Sequence, residues 1–176
     1  SYDLLMNKYN YGNLSNPDVN YCHYTDRSIS GFRSPFVELS QKLIQKGDNN
    51  KIDSLADKYY EKAESLANKY FESMPYSTGY LDQASVRMAG VYAKTNPEKG
   101  EEIVNSLLNE YQTQKTYLEL VANLDGQGKY LLDHAINSIK QLNQYSKTIS
   151  DKLNAPLKVA KTLLGQSSVF LSVPPP

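Results

Sequence analysis

The feature that most limits the fold is a stripe between Ile52 and Tyr70. Ile52, Leu55, Ala56, Tyr59, Ala63, Leu66, Ala67 and Tyr70 recur at steps of three and four, with Lys and Glu interleaved. That period is helical: it puts one apolar face on a helix of about 50 to 73, which must be buried against another element. The rest of the chain offers no sheet to bury it on. Only Val169 to Val173 alternates, and that run is too short to build one. The expected fold is therefore all-α.

The other helices follow from the same period and from end signals. A first helix is expected over about 26 to 46, capped by Thr25 or Asp26 and closed by Gly47. Its stripe is Ile29, Phe32, Phe36, Leu39, Leu43 and Ile44. Gly31 and Pro35 interrupt it, so its first turns are either kinked or a separate short helix. Met74-Pro75 ends the second helix. A third runs from about 80 to 95 through Leu81, Ala84, Met88 and Tyr92. Asn96 caps the fourth, with Pro97 at its first position and Glu98, Glu101 and Glu102 complementing its positive end. Ile103, Leu107, Leu108 and Tyr111 form its apolar face, and Asp125-Gly126-Gln127-Gly128 breaks it.

A fifth helix is expected over roughly 128 to 153, with Pro156 ending or kinking it and a short sixth helix at Leu157 to Leu164. Residues 7 to 18, rich in Tyr and Asn, read as an ordered loop laid over the helices, within a lead-in of residues 1–25. The expectation is one domain over 1–165 and an extended or partly disordered tail over 166–176, ending in Pro-Pro-Pro. Helices one and two pair as one hairpin and helices three and four as another. The result is a tetratricopeptide-like layer of about five helices.

Composition narrows the function classes. Basic and acidic residues balance at 19 each, so no long-range field favours nucleic acid or an anionic bilayer. No apolar run approaches the roughly 20 residues that a membrane helix needs. Ser1 opens no signal-peptide pattern, which reads as a fragment or a mature product. The single cysteine, Cys22, excludes an intramolecular disulfide and a Cys-based zinc cluster. Its neighbour His23 points to the opposite side of an extended loop, so the two make no nucleophile–base pair. His134 lies on a helix beside Asp133, at the boundary of the core. No metalloprotease, phosphate-loop, nucleophile-elbow or dinucleotide motif is present. Catalytic, metal and cofactor sites are accordingly expected to be none. Asn13-Leu14-Ser15 fits the N-glycosylation pattern, which matters only in a eukaryotic secretory setting.

What remains is tyrosine: 15 Tyr and 4 Phe, with no Trp. Tyr59, Tyr60, Tyr76 and Tyr80 cluster near the second helix and its exit, where they either fill space between hairpins or line a groove for a sugar or an extended peptide.

Asn7-Lys8-Tyr9 through Gly12-Asn13, Asn16-Pro17-Asp18-Val19, Arg27, Phe36, Met74-Pro75 and Glu98 through Val104 together resemble one family. It is the soluble C-terminal region of the DUF2723 family, the protein O-mannosyltransferase-like membrane proteins of Bacteroidetes. The resemblance covers about residues 2 to 125, and its most specific part is Asn16-Pro17-Asp18. It implies a non-catalytic accessory domain on the extracytoplasmic (periplasmic) face of the inner membrane, attached through a membrane region that this chain does not contain. It implies binding of an acceptor protein, a glycan or a partner subunit. No catalytic residue carries over. Two other classes stay open: a structural domain packed on its own membrane region, and a stand-alone enzyme around His23 or His134.

Overall fold

The computed structural model of the protein describes residues 2–12, 14–16, 23–50, 52–74, 83–120 and 126–169, the side chains of 23–30, 127 and 156–169 excepted. Among them there are helices and connections and no strand, so the fold is all-α. A short π-helix, Leu4–Lys8, is followed by α1 (His23–Asp48), α2 (Asp53–Ser73), α3 (Gln83–Thr95), α4 (Pro97–Leu120) and α5 (Gly126–Val169).

Local chemistry sets several of these ends. The backbone N–H of Lys99 donates to Asn96 Oδ1 at 3.2 Å, the cap expected for α4, with Pro97 in the first helical position. In α2, Ala56, Ala63, Leu66, Ala67 and Tyr70 are buried along the expected stripe, whereas its first two members, Ile52 and Leu55, are exposed where the helix begins.

Three expectations are corrected. The lead-in is not all loop: Leu4–Lys8 forms a π-helix, closed by the Tyr9 N–H donating to Leu4 O at 3.0 Å. Leu5 is buried among α1 and α2 residues and holds that turn in place. The first helix begins at His23 and is unbroken by Gly31 or Pro35. Arg33, Phe36, Val37, Ser40 and Leu43 are buried on both sides of the proline, and this packing offsets a proline cost of about 3 kcal/mol. The fifth helix passes Pro156 and reaches Val169, so residues 157 to 169 belong to it rather than to a sixth helix and the start of a tail. One proline removes one donor, and the strong helix formers on either side (Lys152 and Leu153 before, Leu157 and Lys158 after) carry the helix across it. The tail expected beyond Val169 lies outside the described residues.

The expected contacts of α1 with α2 and of α3 with α4 are present, and the pairing extends beyond them. α1 packs most extensively on α2, and α4 on α5, while α3 touches both hairpins. Met88, Val91 and Tyr92 of α3 join the core of the α1/α2 half with Phe36, Leu66, Ala67 and Tyr70. Val86, Ala89 and Ala93, on the other side of α3, join Val104, Leu107, Tyr111, Ala135, Leu142 and Ile149. α3 is thus a septum between two hairpins, which is why it is buried nearly all round.

Polar side chains stitch the septum to its neighbours. Gln83 Nε2 donates to Gln141 Oε1 at 2.6 Å, and Gln141 Nε2 donates to the Tyr145 hydroxyl at 2.6 Å. The Tyr92 hydroxyl and Lys99 Nζ both donate to Asn68 Oδ1, at 2.8 and 3.0 Å. Where α5 crosses α3, the Tyr145 ring lies directly on Gly90. A Cβ there would meet Tyr145 Cζ at 2.7 Å, so only glycine permits this approach.

Candidate functional site

Of the four tyrosines, only Tyr59 and Tyr60 fall among the described residues; Tyr76 and Tyr80 lie outside them. Tyr59 and Tyr60 are sequence neighbours on α2, about 100° apart around the helix, and they face different surroundings. Tyr60 belongs to a clamp. Its ring packs on Gly47, where a Cβ would sit 2.6 Å from its Cε1. Its hydroxyl donates to Asp48 Oδ1 at 2.7 Å, and Lys94 Nζ reaches the same oxygen at 2.8 Å. The bonds from Lys94 and then Tyr60 hold the Asp48 carboxyl below its ordinary range. The Asp48 bond in turn raises the Tyr60 phenol. Lys152 closes the clamp from α5, donating to the carbonyls of Ala93 at 2.9 Å and Lys94 at 2.8 Å. This cation satisfies the last carbonyls of α3. Burial, and then the neighbouring Lys94, push its amine down. The clamp ties α1, α2, α3 and α5 together, and its polar atoms are occupied with one another.

Tyr59 faces a different feature. It walls a hollow of about 500 Å³ against Leu39, Lys42, Lys46 and Asn49 of α1. Leu39 and Lys42 also line the next hollow, of about 250 Å³, whose other wall is Leu4, Leu5 and Tyr9. Leu5, Tyr9 and Pro35 are shared again with a notch of about 290 Å³ formed with Tyr11, Gly31 and Phe32. The three depressions adjoin one another through these shared residues, and together they make up a trough along α1. Its floor follows Phe32, Pro35, Leu39, Lys42, Lys46 and Asn49, at steps of three and four along one flank of α1. At 1.5 Å per residue it runs about 25 Å.

The second wall is held by rings. Tyr9 stacks on Tyr11 at 6.1 Å and meets Phe32 edge-on at 6.2 Å. Tyr11 leans on Phe36 at 5.8 Å, and Phe36 meets Tyr70 at 5.9 Å deep in the core. Through Phe71 the contacts continue to Tyr92, at 5.0 and 5.7 Å. The Tyr11 hydroxyl donates to Leu5 O at 2.8 Å, fixing the loop to the π-helix. Burial, with Tyr9 close by, raises the Tyr11 phenol. Asn10 Oδ1 accepts the Gly12 N–H at 2.9 Å and turns the loop back over α1. Tyr9 and Phe32 nevertheless stay 46% and 43% exposed, which leaves ring surface free at the mouth of the notch.

The trough is apolar at one end and cationic at the other, with Glu38 among the residues that line its middle hollow. Leu5, Tyr9, Tyr11, Gly31, Phe32 and Pro35 bear no charge, whereas Lys42 and Lys46 stand over the far end. Lys46 Nζ lies 5.9 Å from the Tyr59 ring centroid. On the flank of the loop away from α1 is a polar hollow of about 470 Å³, between Asn7, Asn10, Lys69 and Glu72.

Elsewhere, the described residues hold no group of three or more His, Cys, Asp or Glu placed to bind a metal. His134 sits against Tyr111 at 5.9 Å and Tyr130 at 6.4 Å, on the α4/α5 side of the molecule. Cys22 and Asn13 lie outside the described residues, as does the side chain of His23. Compared with known proteins, the chain matches no protein-family profile, and no curated protein or solved structure matches it significantly.

Proposed function

We propose that the chain is a non-catalytic recognition domain that holds a polypeptide segment along the α1 trough. The observation that carries this reading is the continuity of the trough: three hollows share lining residues over about 25 Å, the span of seven or eight extended residues at about 3.3 Å each. Aromatic walls already fixed by packing suit an extended chain, because little ordering cost is added on binding. On the resemblance given above, the domain is the accessory part of a membrane-bound, glycosyltransferase-like protein on the extracytoplasmic face. There it presents an acceptor protein or partner subunit to a membrane active site outside this chain. Two hairpins about a shared helix are compatible with a tetratricopeptide-like layer.

Selection from a dodecapeptide display library tests the reading, with an oligosaccharide array as the glycan arm. The expected result is a set of peptide binders that lose affinity for Phe32→Ala and Tyr59→Ala. Binders indifferent to both substitutions, or glycan binding alone, would overturn it.

A second reading has its own observation. Tyr117, Leu120 and Tyr130 are 67%, 79% and 66% exposed where α4 and α5 meet. That tip supports a structural domain that packs on its own membrane region. No described helix is long and apolar enough to cross a membrane itself.

A further inference from the structure

We infer that the occupant of the trough is an acidic-apolar segment, with its apolar half against Leu5, Tyr9, Phe32 and Pro35 and its carboxylates against Lys42 and Lys46. This rests on the reading of the trough as a polypeptide site, and adds the chemistry and direction of what it takes.

Charge is unevenly distributed along the trough. Lys42 and Lys46 are exposed and one helical turn apart on the trough flank. Neither forms an ion pair among the described residues, whose salt bridges involve Lys8, Lys94 and Lys115. Glu38 is one turn before Lys42 and lines the middle hollow with it yet makes no such pair, and the far hollow, which both lysines line, has no acidic lining residue. Amides supply its remaining polarity, from Gln45, Asn49 and Asn50. A helix-end role accounts for Lys46, which is in the last turn of α1. That effect fades within one turn, so it does not account for Lys42. Two unpaired cations beside an uncharged aromatic notch complement a ligand with carboxylates at one end and apolar rings or proline at the other. An extended chain has alternate side chains facing the trough, so three apolar residues followed by three acidic ones match the distance from Phe32 to Lys46.

Fluorescence anisotropy on the full chain tests this with three labelled peptides. All carry the same apolar, proline-containing half and an amidated C-terminus, which excludes a terminal carboxylate as the anion. They end in three aspartates, three asparagines or three lysines. Two exposed ion pairs together give about a tenfold preference for the aspartate peptide over the asparagine one at low salt. That preference disappears near 1 M salt, where screening acts within about 3 Å. Lys42→Glu/Lys46→Glu is expected to reverse the order in favour of the lysine peptide, and Phe32→Ala to weaken all three equally. Equal affinities that still depend on Phe32 would refute the acidic preference and leave the polypeptide reading standing. An aspartate preference that survives the double charge reversal would also refute it. No binding by any peptide, or binding indifferent to Phe32→Ala, would remove the trough as a polypeptide site.

Discussion

Gly90→Ala isolates the contact that makes α3 a septum. In a helix interior, alanine is favoured over glycine by about 1 kcal/mol, so an uncrowded helix gains from this change. Here the new methyl carbon would lie 2.7 Å from Tyr145 Cζ and 2.8 Å from its hydroxyl oxygen. Ordinary carbon contacts begin near 3.5 Å, so the ring must retreat by roughly 0.8 Å. It is held by the Gln141 amide at 2.6 Å, and retreat strains that bond or moves α5 off α3. Overpacking of this kind costs about 1–3 kcal/mol. The net effect is a loss of up to about 2 kcal/mol, in which gain and cost partly cancel. A double-mutant cycle removes the ambiguity. In a Tyr145→Ala background the space is open, and Gly90→Ala should stabilise by the helix-propensity term of about 1 kcal/mol. The coupling energy is then the overpacking cost alone, about 1–3 kcal/mol. Urea unfolding followed by circular dichroism, with equal slopes across the four proteins, measures it. Coupling below about 0.5 kcal/mol would show that α5 does not rest on Gly90.

Other outcomes follow from the same packing. Gly100→Ala places a methyl 3.2 Å from the backbone of Ala93 and Tyr92 and 3.0 Å from Ile149 Cδ1. Backbone cannot yield as a side chain does, so after the helix-propensity gain of about 1 kcal/mol a net loss of up to about 2 kcal/mol in urea unfolding is expected, and a gain would contradict the close approach of α4 to α3. Phe36→Ala empties a fully buried site between Tyr11 and Tyr70 and should cost about 3–5 kcal/mol; a cost below 1 would mean that the ring chain is not continuous. Burial first, then Glu64 and Glu72, hold the Tyr92 phenol well above its ordinary 10.0. The unfolded chain therefore loses this proton first, and stability present below about pH 10 falls as pH rises further. Tyr92→Phe should flatten that alkaline decline in the urea midpoint, with a residual slope from Tyr145, whose phenol burial also raises; an unchanged slope would refute the assignment.

What was legible in the sequence is what local chemistry decides. The Asn96-Pro97 start of α4 and the α2 stripe from Ala56 to Tyr70 depend on residues within a few positions of each other, and both are found, while Ile52 and Leu55 at the head of that stripe are exposed. Neither Pro35 nor Pro156 breaks its helix, because a proline's local cost is set against packing and flanking propensity that a short window does not weigh. The septum did leave a signal. Val86, Met88, Ala89, Val91, Tyr92 and Ala93 are apolar around the whole helix rather than along one stripe, the mark of an element buried on two sides. Its partners were not visible, because the Gln83–Gln141 bond joins residues 58 apart. The trough was hidden for the same reason. Tyr9 and Phe32 read as loop and core until the turn at Asn10 brings the first over the second. Tyr59 and Tyr60 are neighbours in sequence but diverge around α2, so one lines the hollow beside α1 and the other binds Asp48.

The most direct test of the α1 trough is hydrogen exchange on the full chain, with and without a saturating selected peptide. Bound peptide should slow exchange at the loop amides of Tyr9 to Gly12 and at the last turn of α1, Lys46 to Asn50, while leaving the exposed tip around Tyr117 and Tyr130 unchanged. Slowing confined to that tip, with the loop and the end of α1 exchanging as in the free protein, would contradict a recognition role for the trough.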